Sequence, residues 1–273
     1  MLHGPDELAA AIADYESAER LHRDAPRWLA SARERRLGGA GIRRGIRGPG
    51  GGGGGAAWDP TQLTDGVHYW DPAEDVTTSS GDATAVGDLV GSVDFASTGN
   101  PPAYEASQAI FGGAPALEFN GSNESLRASR GATLSQTYTK WVVGSWTSTG
   151  LRIMWGASTP SRSIFRLNSS AGGLEMFAGG SVARATTTPT LDTAYLYVCV
   201  MVNGSAQLYI NNSLQSLNTQ AIGTNGATNF DWAYDGTAYG TVRIAAGGVV
   251  SGVMSADDRA SLLAWAQANK GVA

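Results

Sequence analysis

A chain of 273 residues with 37 glycines, 16% charged residues and a net charge of −5 does not have the composition of a helical bundle; it suits many short strands joined by turns. The one cysteine, Cys199, excludes an intrachain disulfide, so a buried core must supply stability. The N-terminus MLHGPDELAAAIADY has no secretory pattern, and the longest apolar run, residues 195–202, is far short of the roughly 20 residues of a membrane helix, so the chain reads as soluble, folded in a cytoplasm, without membrane insertion.

Residues 6–37 are rich in Ala, Glu, Arg and Leu, all good helix formers. Leu8, Tyr15, His22 and Leu29 recur every seven residues, with Ala11, Ala18, Ala25 and Ala32 three positions later, which outlines an a/d seam. Pro26 interrupts it, and Asp24 can cap a new helix with Pro26 in its first turn. The segment therefore predicts two helices, 6–23 and 25–37. Helices this short are marginal alone, so they need a partner: copies of themselves or a different protein. The predicted docking residues are the apolar Leu8, Ile12, Tyr15, Trp28 and Leu29, followed by Arg33, Arg36, Arg43, Arg44 and Arg47.

Residues 1–57 hold nine arginines and seven acids, a balance of +2, whereas the remainder holds ten basic and seventeen acidic residues, a balance of −7. Between Arg33 and Arg47 six arginines face Glu34 alone. A basic run can meet nucleic acid, a membrane or a protein partner. No aromatic residues interleave with it, so it offers no stacking platform for single strands, and a partner-facing tail is the favoured reading. Gly50–Gly55 then reads as a flexible linker. The spacing of Gly45, Gly48, Gly51 and Gly54 around Pro49 admits a second reading, polyproline-II-like packing about a symmetry axis, and with it a homo-oligomer, a trimer being favoured. The organisation is thus a docking segment (1–37), an Arg/Gly-rich linker (38–57) and one β domain (58–273).

Within the β domain, strand-like runs fall at 115–120, 138–147, 150–156, 162–168, 173–178, 193–203, 205–211 and 240–246. Asn203-Gly204 between two apolar runs is a hairpin signal. Both faces of 194–202 are apolar, as in a central strand covered on both sides, and 140–146 reads similarly. Ser255, with Asp258 three residues on, starts a last helix whose apolar side holds Leu262, Leu263 and Trp265. The pattern is a β-sandwich with a C-terminal helix.

Several stretches together resemble a concanavalin A-like, laminin-G-like domain: Trp58-Asp-Pro-Thr-Gln-Leu, Val67-His-Tyr-Trp-Asp-Pro, Asn100-Pro-Pro-Ala-Tyr, Pro115-Ala-Leu-Glu-Phe-Asn-Gly-Ser, Gln207-Leu-Tyr-Ile-Asn-Asn, Val242-Arg-Ile-Ala and Met254-Ser-Ala-Asp-Asp-Arg. The resemblance covers about residues 58–271 and implies a jelly-roll β-sandwich. A helical N-terminus, a glycine run and such a domain look like a minor tail protein of an actinobacteriophage. That implies a virion component made in the host cytoplasm, held by other tail proteins through residues 1–57 and facing a host-surface glycan. The alternatives are a lectin-like protein independent of any virion, and a glycoside hydrolase.

Hydrolases of this fold that resemble laminarinases carry Glu-x-Asp-x-x-Glu on one strand. Here Glu118 and Glu124 are separated by a turn, and no such motif occurs. His68 reads as a packed core histidine and Cys199 as a small core hydrophobe. The expectation is no enzymatic activity and no cofactor. The resemblance also implies a calcium site at the rim, for which Asp71, Glu74, Asp75 and Asp82 are the candidate ligands. For a glycan, Phe230, Trp232 and Tyr234 beside Asp231 and Asp235 supply stacking faces and hydroxyl acceptors; the competing reading puts the three rings inward as strand core.

Overall fold

The computed structural model describes residues 58–157, 163–168, 170 and 173–273. The expected helices 6–23 and 25–37, the docking residues and the glycine run lie outside the described residues. In order, the strands are β1 (Gly66–Trp70), β2 (Val76–Ser79), β3 (Asp82–Val86), β4 (Phe95–Ser97), β5 (Ala103–Glu105), β6 (Ala116–Asn120), β7 (Leu126–Leu134), β8 (Tyr138–Trp146) and β9 (Leu151–Gly156). They continue with β10 (Ile164–Asn168), β11 (Gly173–Phe177), β12 (Val182–Ala185), β13 (Tyr195–Val202), β14 (Ser205–Ile210), β15 (Ser213–Leu214), β16 (Ala227–Trp232) and β17 (Thr241–Ser251), and the helix α1 (Ala256–Lys270) follows.

The long strand β17 organises the back sheet. One of its edges pairs with β8, and the other takes β6 through Thr241–Ile244 and β1 through Gly247–Val250. From β8 the back sheet continues through β13, β14 and β15. The short β5 joins β6 to β3. The front sheet then runs β3, β4, β7, β16, β9, β10, β11, β12, with β2 on the other edge of β3. Among the described residues every pairing between these strands is antiparallel.

Two cores result. Between the sheets, Val142, Trp146, Tyr197 and Cys199 of the back sheet meet Leu126, Phe165, Met176, Phe230 and Trp232 of the front sheet. On the outer face of the back sheet, Trp141, Val143, Leu196 and Val198 pack against Leu262, Trp265 and Ala266 of α1. Strands β8 and β13 are therefore covered on both faces, and all nine residues of β8 are buried. This is why their sequences run apolar without alternation.

Local signals behave as their chemistry requires. Asn203 (φ 43°) and Gly204 (φ 85°) join β13 to β14 with two positive φ values, which Asn-Gly adopts at little cost. The Ser255 side chain accepts from the Asp258 N–H, and Gly271 ends α1 in the left-handed region. All eight expected strands are present. The remaining nine are mostly short or rich in Ser, Thr, Asp and Gly, and so lack an apolar run. β17 extends past the expected end at residue 246 because Gly247 and Gly248 are spaces for tryptophans: a Cβ on Gly247 would lie 2.7 Å from the Trp155 ring, and one on Gly248 would lie 2.6 Å from Trp141 Nε1.

Candidate functional site

The stretch 229–236 divides between core and surface. Strand β16 sends Phe230 and Trp232 between the sheets, both at 0% exposure. Trp232 stacks on Phe95 at 4.4 Å, and Phe230 meets Trp70 edge-on at 5.9 Å. Neither ring offers a face to a sugar, so these two residues are removed from the expected glycan set.

Asp231 points the other way but is also buried. Arg127 on the neighbouring β7 donates to it in a fork, Nε at 2.6 Å and Nη2 at 3.1 Å, and Asn229 Nδ2 donates at 2.9 Å. The hydrogen bond from Arg127 to Asp231 holds the guanidinium above its ordinary pKa. Asp235 Oδ1 accepts from the Thr237 N–H and hydroxyl and the Ala238 N–H, which fixes the turn that follows β16. Both carboxylates therefore position backbone and arginine.

Tyr234 is the one member of the expected set that remains half-buried at the surface. Ala233 takes φ 61° and ends the strand alternation, so Tyr234 is not the third inward ring. Residues 233–240 fold over β9: the Ala233 N–H donates to Met154 O, and the Gly240 N–H returns to Ala233 O. Gly156 and Gly240 leave room for this loop, since a Cβ on either would collide with the backbone of Tyr234 or Ile153. At the loop's base Tyr234 stacks on Tyr239, with centroids 4.6 Å apart and planes at 27°.

A second cluster occupies the same outer face of the front sheet. Arg166, Glu175 and Arg184 stand opposite one another on β10, β11 and β12. Glu175 Oε2 accepts from Arg166 Nε at 2.7 Å, and Oε1 accepts from Arg184 Nε at 2.9 Å and Nη2 at 2.6 Å. Asn168 Nδ2 adds a bond at 3.2 Å. Burial alone would push the Glu175 carboxyl up, but the Arg184 and Arg166 hydrogen bonds outweigh it and hold the carboxyl below its ordinary range. The sequence reading missed this cluster and Tyr239. Its signal was present: each of β10, β11 and β12 carries a single charged residue between apolar neighbours.

The expected calcium ligands do not converge. Asp71 is buried and bound to Lys270 Nζ at 2.7 Å and to the Tyr69 hydroxyl at 2.9 Å. Asp75 sits at the start of the β2–β3 hairpin and Asp82 at its tip, on the order of 10 Å away at a strand rise of ~3.3 Å per residue. Among the described residues no three His, Cys, Asp or Glu side chains come together to hold a metal, which corrects the calcium expectation. His68 is a core histidine, as expected from sequence: Nδ1 donates to Asp88 at 2.6 Å and Nε2 accepts from Arg130 at 3.2 Å.

A recess of about 340 Å³ lies at the far edge of the back sheet, lined by Gln207, Leu214, Gln215, Ser216 and Gln220 among others. It holds neutral amides but neither a charged group nor an aromatic ring.

No family model matches the chain, and no curated protein matches it. Solved structures do match. A Trypanosoma rangeli sialidase is similar with a TM-score of 0.54 and 13% identity, over 74% of this chain and 33% of the sialidase. The chain thus spans about a third of the length of the sialidases it matches. Domain 4 of the GH43 extracellular arabinanase AbnA from Geobacillus stearothermophilus, solved with arabinotriose, is similar with a TM-score of 0.53 and 16% identity, over 74% of this chain and all of that domain. The architecture is a mainly β, antiparallel, concanavalin A-like β-sandwich. These neighbours overturn the expectation that the chain is not an enzyme. The fold occurs in a sialidase and in an arabinanase, so the missing Glu-x-Asp-x-x-Glu motif does not exclude hydrolytic chemistry.

Proposed function

We propose that the chain binds carbohydrate through the outer face of the front sheet, with the Tyr234–Tyr239 pair as the contact platform. The observation that carries this reading is the stacked, half-buried tyrosine pair held over β9 beside the Arg127–Asp231 fork. Aromatic rings present an apolar face to sugar C–H groups while their hydroxyls reach polar partners. The likeness to an arabinanase domain solved with arabinotriose supports it, because the match spans the whole of that domain.

The sequence supports a setting for this activity: a phage minor tail protein, held in the virion by residues 1–57 as a trimer and presenting the sandwich to a glycan of the host surface. The basic run Arg33–Arg47 would meet an acidic tail protein. A lectin-like protein outside any virion would use the same face.

The test is a glycan array probed with the full chain and with Tyr234→Ala and Tyr239→Ala. The reading requires retention of at least one glycan class and a loss of tenfold or more in each variant, with melting temperatures unchanged. Retention untouched by both substitutions would refute the platform. Release of reducing ends from a retained glycan would extend the reading to hydrolysis. Incorporation of a chain lacking residues 1–57 into tails at normal copy number would refute the docking role.

A further inference from the structure

We infer that the ligand of this face is an acidic glycan, and that Arg166 and Arg184, oriented by Glu175, form the seat for its carboxylate. The inference rests on the carbohydrate reading above and names the chemical class of the sugar.

Glu175 is 1% exposed, and its two oxygens are taken up by Arg166, Arg184 and Asn168. Arg166 uses only Nε on it, and Arg184 uses Nε and Nη2. Both Nη groups of Arg166 and Nη1 of Arg184 therefore have no partner among the described residues. Their side chains are 20% and 32% exposed, so these donors lie partly out of water at the surface of a sheet.

Charge comes next. A cross-strand ion pair needs one arginine for one glutamate. Here two arginines share one carboxylate, which leaves a local surplus of positive charge on a region, residues 58–273, whose total balance is −7. A planar guanidinium with its Nη groups unoccupied takes a carboxylate in a two-bond fork. Glu175 fixes both arginines before the ligand arrives, which lowers the ordering cost of binding.

The neighbouring row supplies the remaining contacts. Phe177 and Val182 stand opposite each other, two residues from Glu175 and Arg184 on the same face, and both are partly exposed. A pyranose whose carboxylate reaches the arginines can lay its C–H face on this apolar row. The Gln-lined recess has no cation and fits a charged sugar poorly.

The experiment compares one backbone with and without charge: oligogalacturonate against its methyl ester, with dextran sulfate as a second anion, by calorimetry on the full chain. The expected result is at least tenfold tighter binding of the free acid than of the ester, abolished in Arg166→Gln and Arg184→Gln and kept in Arg243→Gln, a control arginine paired with Glu118 and Asp192. Arg166→Lys keeps the charge without the fork and is expected to lose most of the preference. Melting temperatures confirm that the variants fold. Equal binding of acid and ester, dextran sulfate binding as tightly as the acid, or a preference surviving both Gln substitutions would overturn the carboxylate seat and leave the carbohydrate reading standing. Binding of no glycan, acidic or neutral, on this panel and on the array would overturn both.

Discussion

Lys270 in the last turn of α1 donates to Asp71, just past β1, at 2.7 Å, and both side chains are 3% exposed. The pair joins residues 199 positions apart and pins the helix against the back sheet. Asp71 also accepts from the Tyr69 hydroxyl and the Ala73 N–H, so the buried charge is surrounded by donors. Breaking such a pair strands the other charge, at a cost of about 3–5 kcal/mol. Lys270→Met is expected to lose that much in urea unfolding, and Asp71→Leu with Lys270→Met to recover part of it. A single-variant loss below 1 kcal/mol would show that the pair does not anchor α1.

A second buried cation has no carboxylate hydrogen-bonded to it among the described residues. Lys140 is 1% exposed and donates to the Ser163 carbonyl at 2.8 Å. Burial pushes its amine down to about 7. Between that value and the ordinary lysine pKa of 10.5, the unfolded chain holds a proton that the folded chain does not. Stability should therefore rise with pH across this window, by up to about 1.4 kcal/mol per pH unit. Melting temperatures from pH 7 to 9 should climb in the native protein and stay flat in Lys140→Met. Parallel profiles would contradict the assignment.

The removal of Trp232 from the glycan set has its own test. Trp232→Phe disturbs packing against Phe95 and Trp155 and should cost about 1–3 kcal/mol of stability. Glycan affinity should stay within twofold. A tenfold loss of affinity in a variant that remains folded would return Trp232 to the surface site.

Gly156 tests the loop that carries the tyrosines. A Cβ there collides with the Tyr234 carbonyl. Gly156→Ala should lift residues 233–240 off β9 and reduce glycan affinity as much as Tyr234→Ala does. Native affinity in Gly156→Ala would mean that the loop's seat is not needed.

The sequence made the back sheet and α1 readable because burial on both faces leaves long apolar runs, and because Asn203-Gly204 and Ser255–Asp258 act locally. Strands such as β2, Val-Thr-Thr-Ser, are specified by their neighbours and not by their own composition. The glycan stretch 229–236 was half legible. Its period of two correctly opposes Phe230 and Trp232 to Asp231, but the positive φ at Ala233 breaks the period before Tyr234. Asp71 was misread because its partner, Lys270, is distant in sequence and no local signal distinguishes a buried acid from a rim acid. The Arg166–Glu175–Arg184 row was visible as three isolated charges, yet only strand register brings them opposite one another.

The most direct test of the central claim, that carbohydrate binds on the outer face of the front sheet, is residue-resolved NMR of the full chain titrated with a retained glycan. The account predicts saturable shifts centred on Arg127, Arg166, Arg184, Tyr234 and Tyr239. Shifts centred instead on Gln207, Gln215 and Gln220, with the front face silent, would contradict it and move the site to the back-sheet recess.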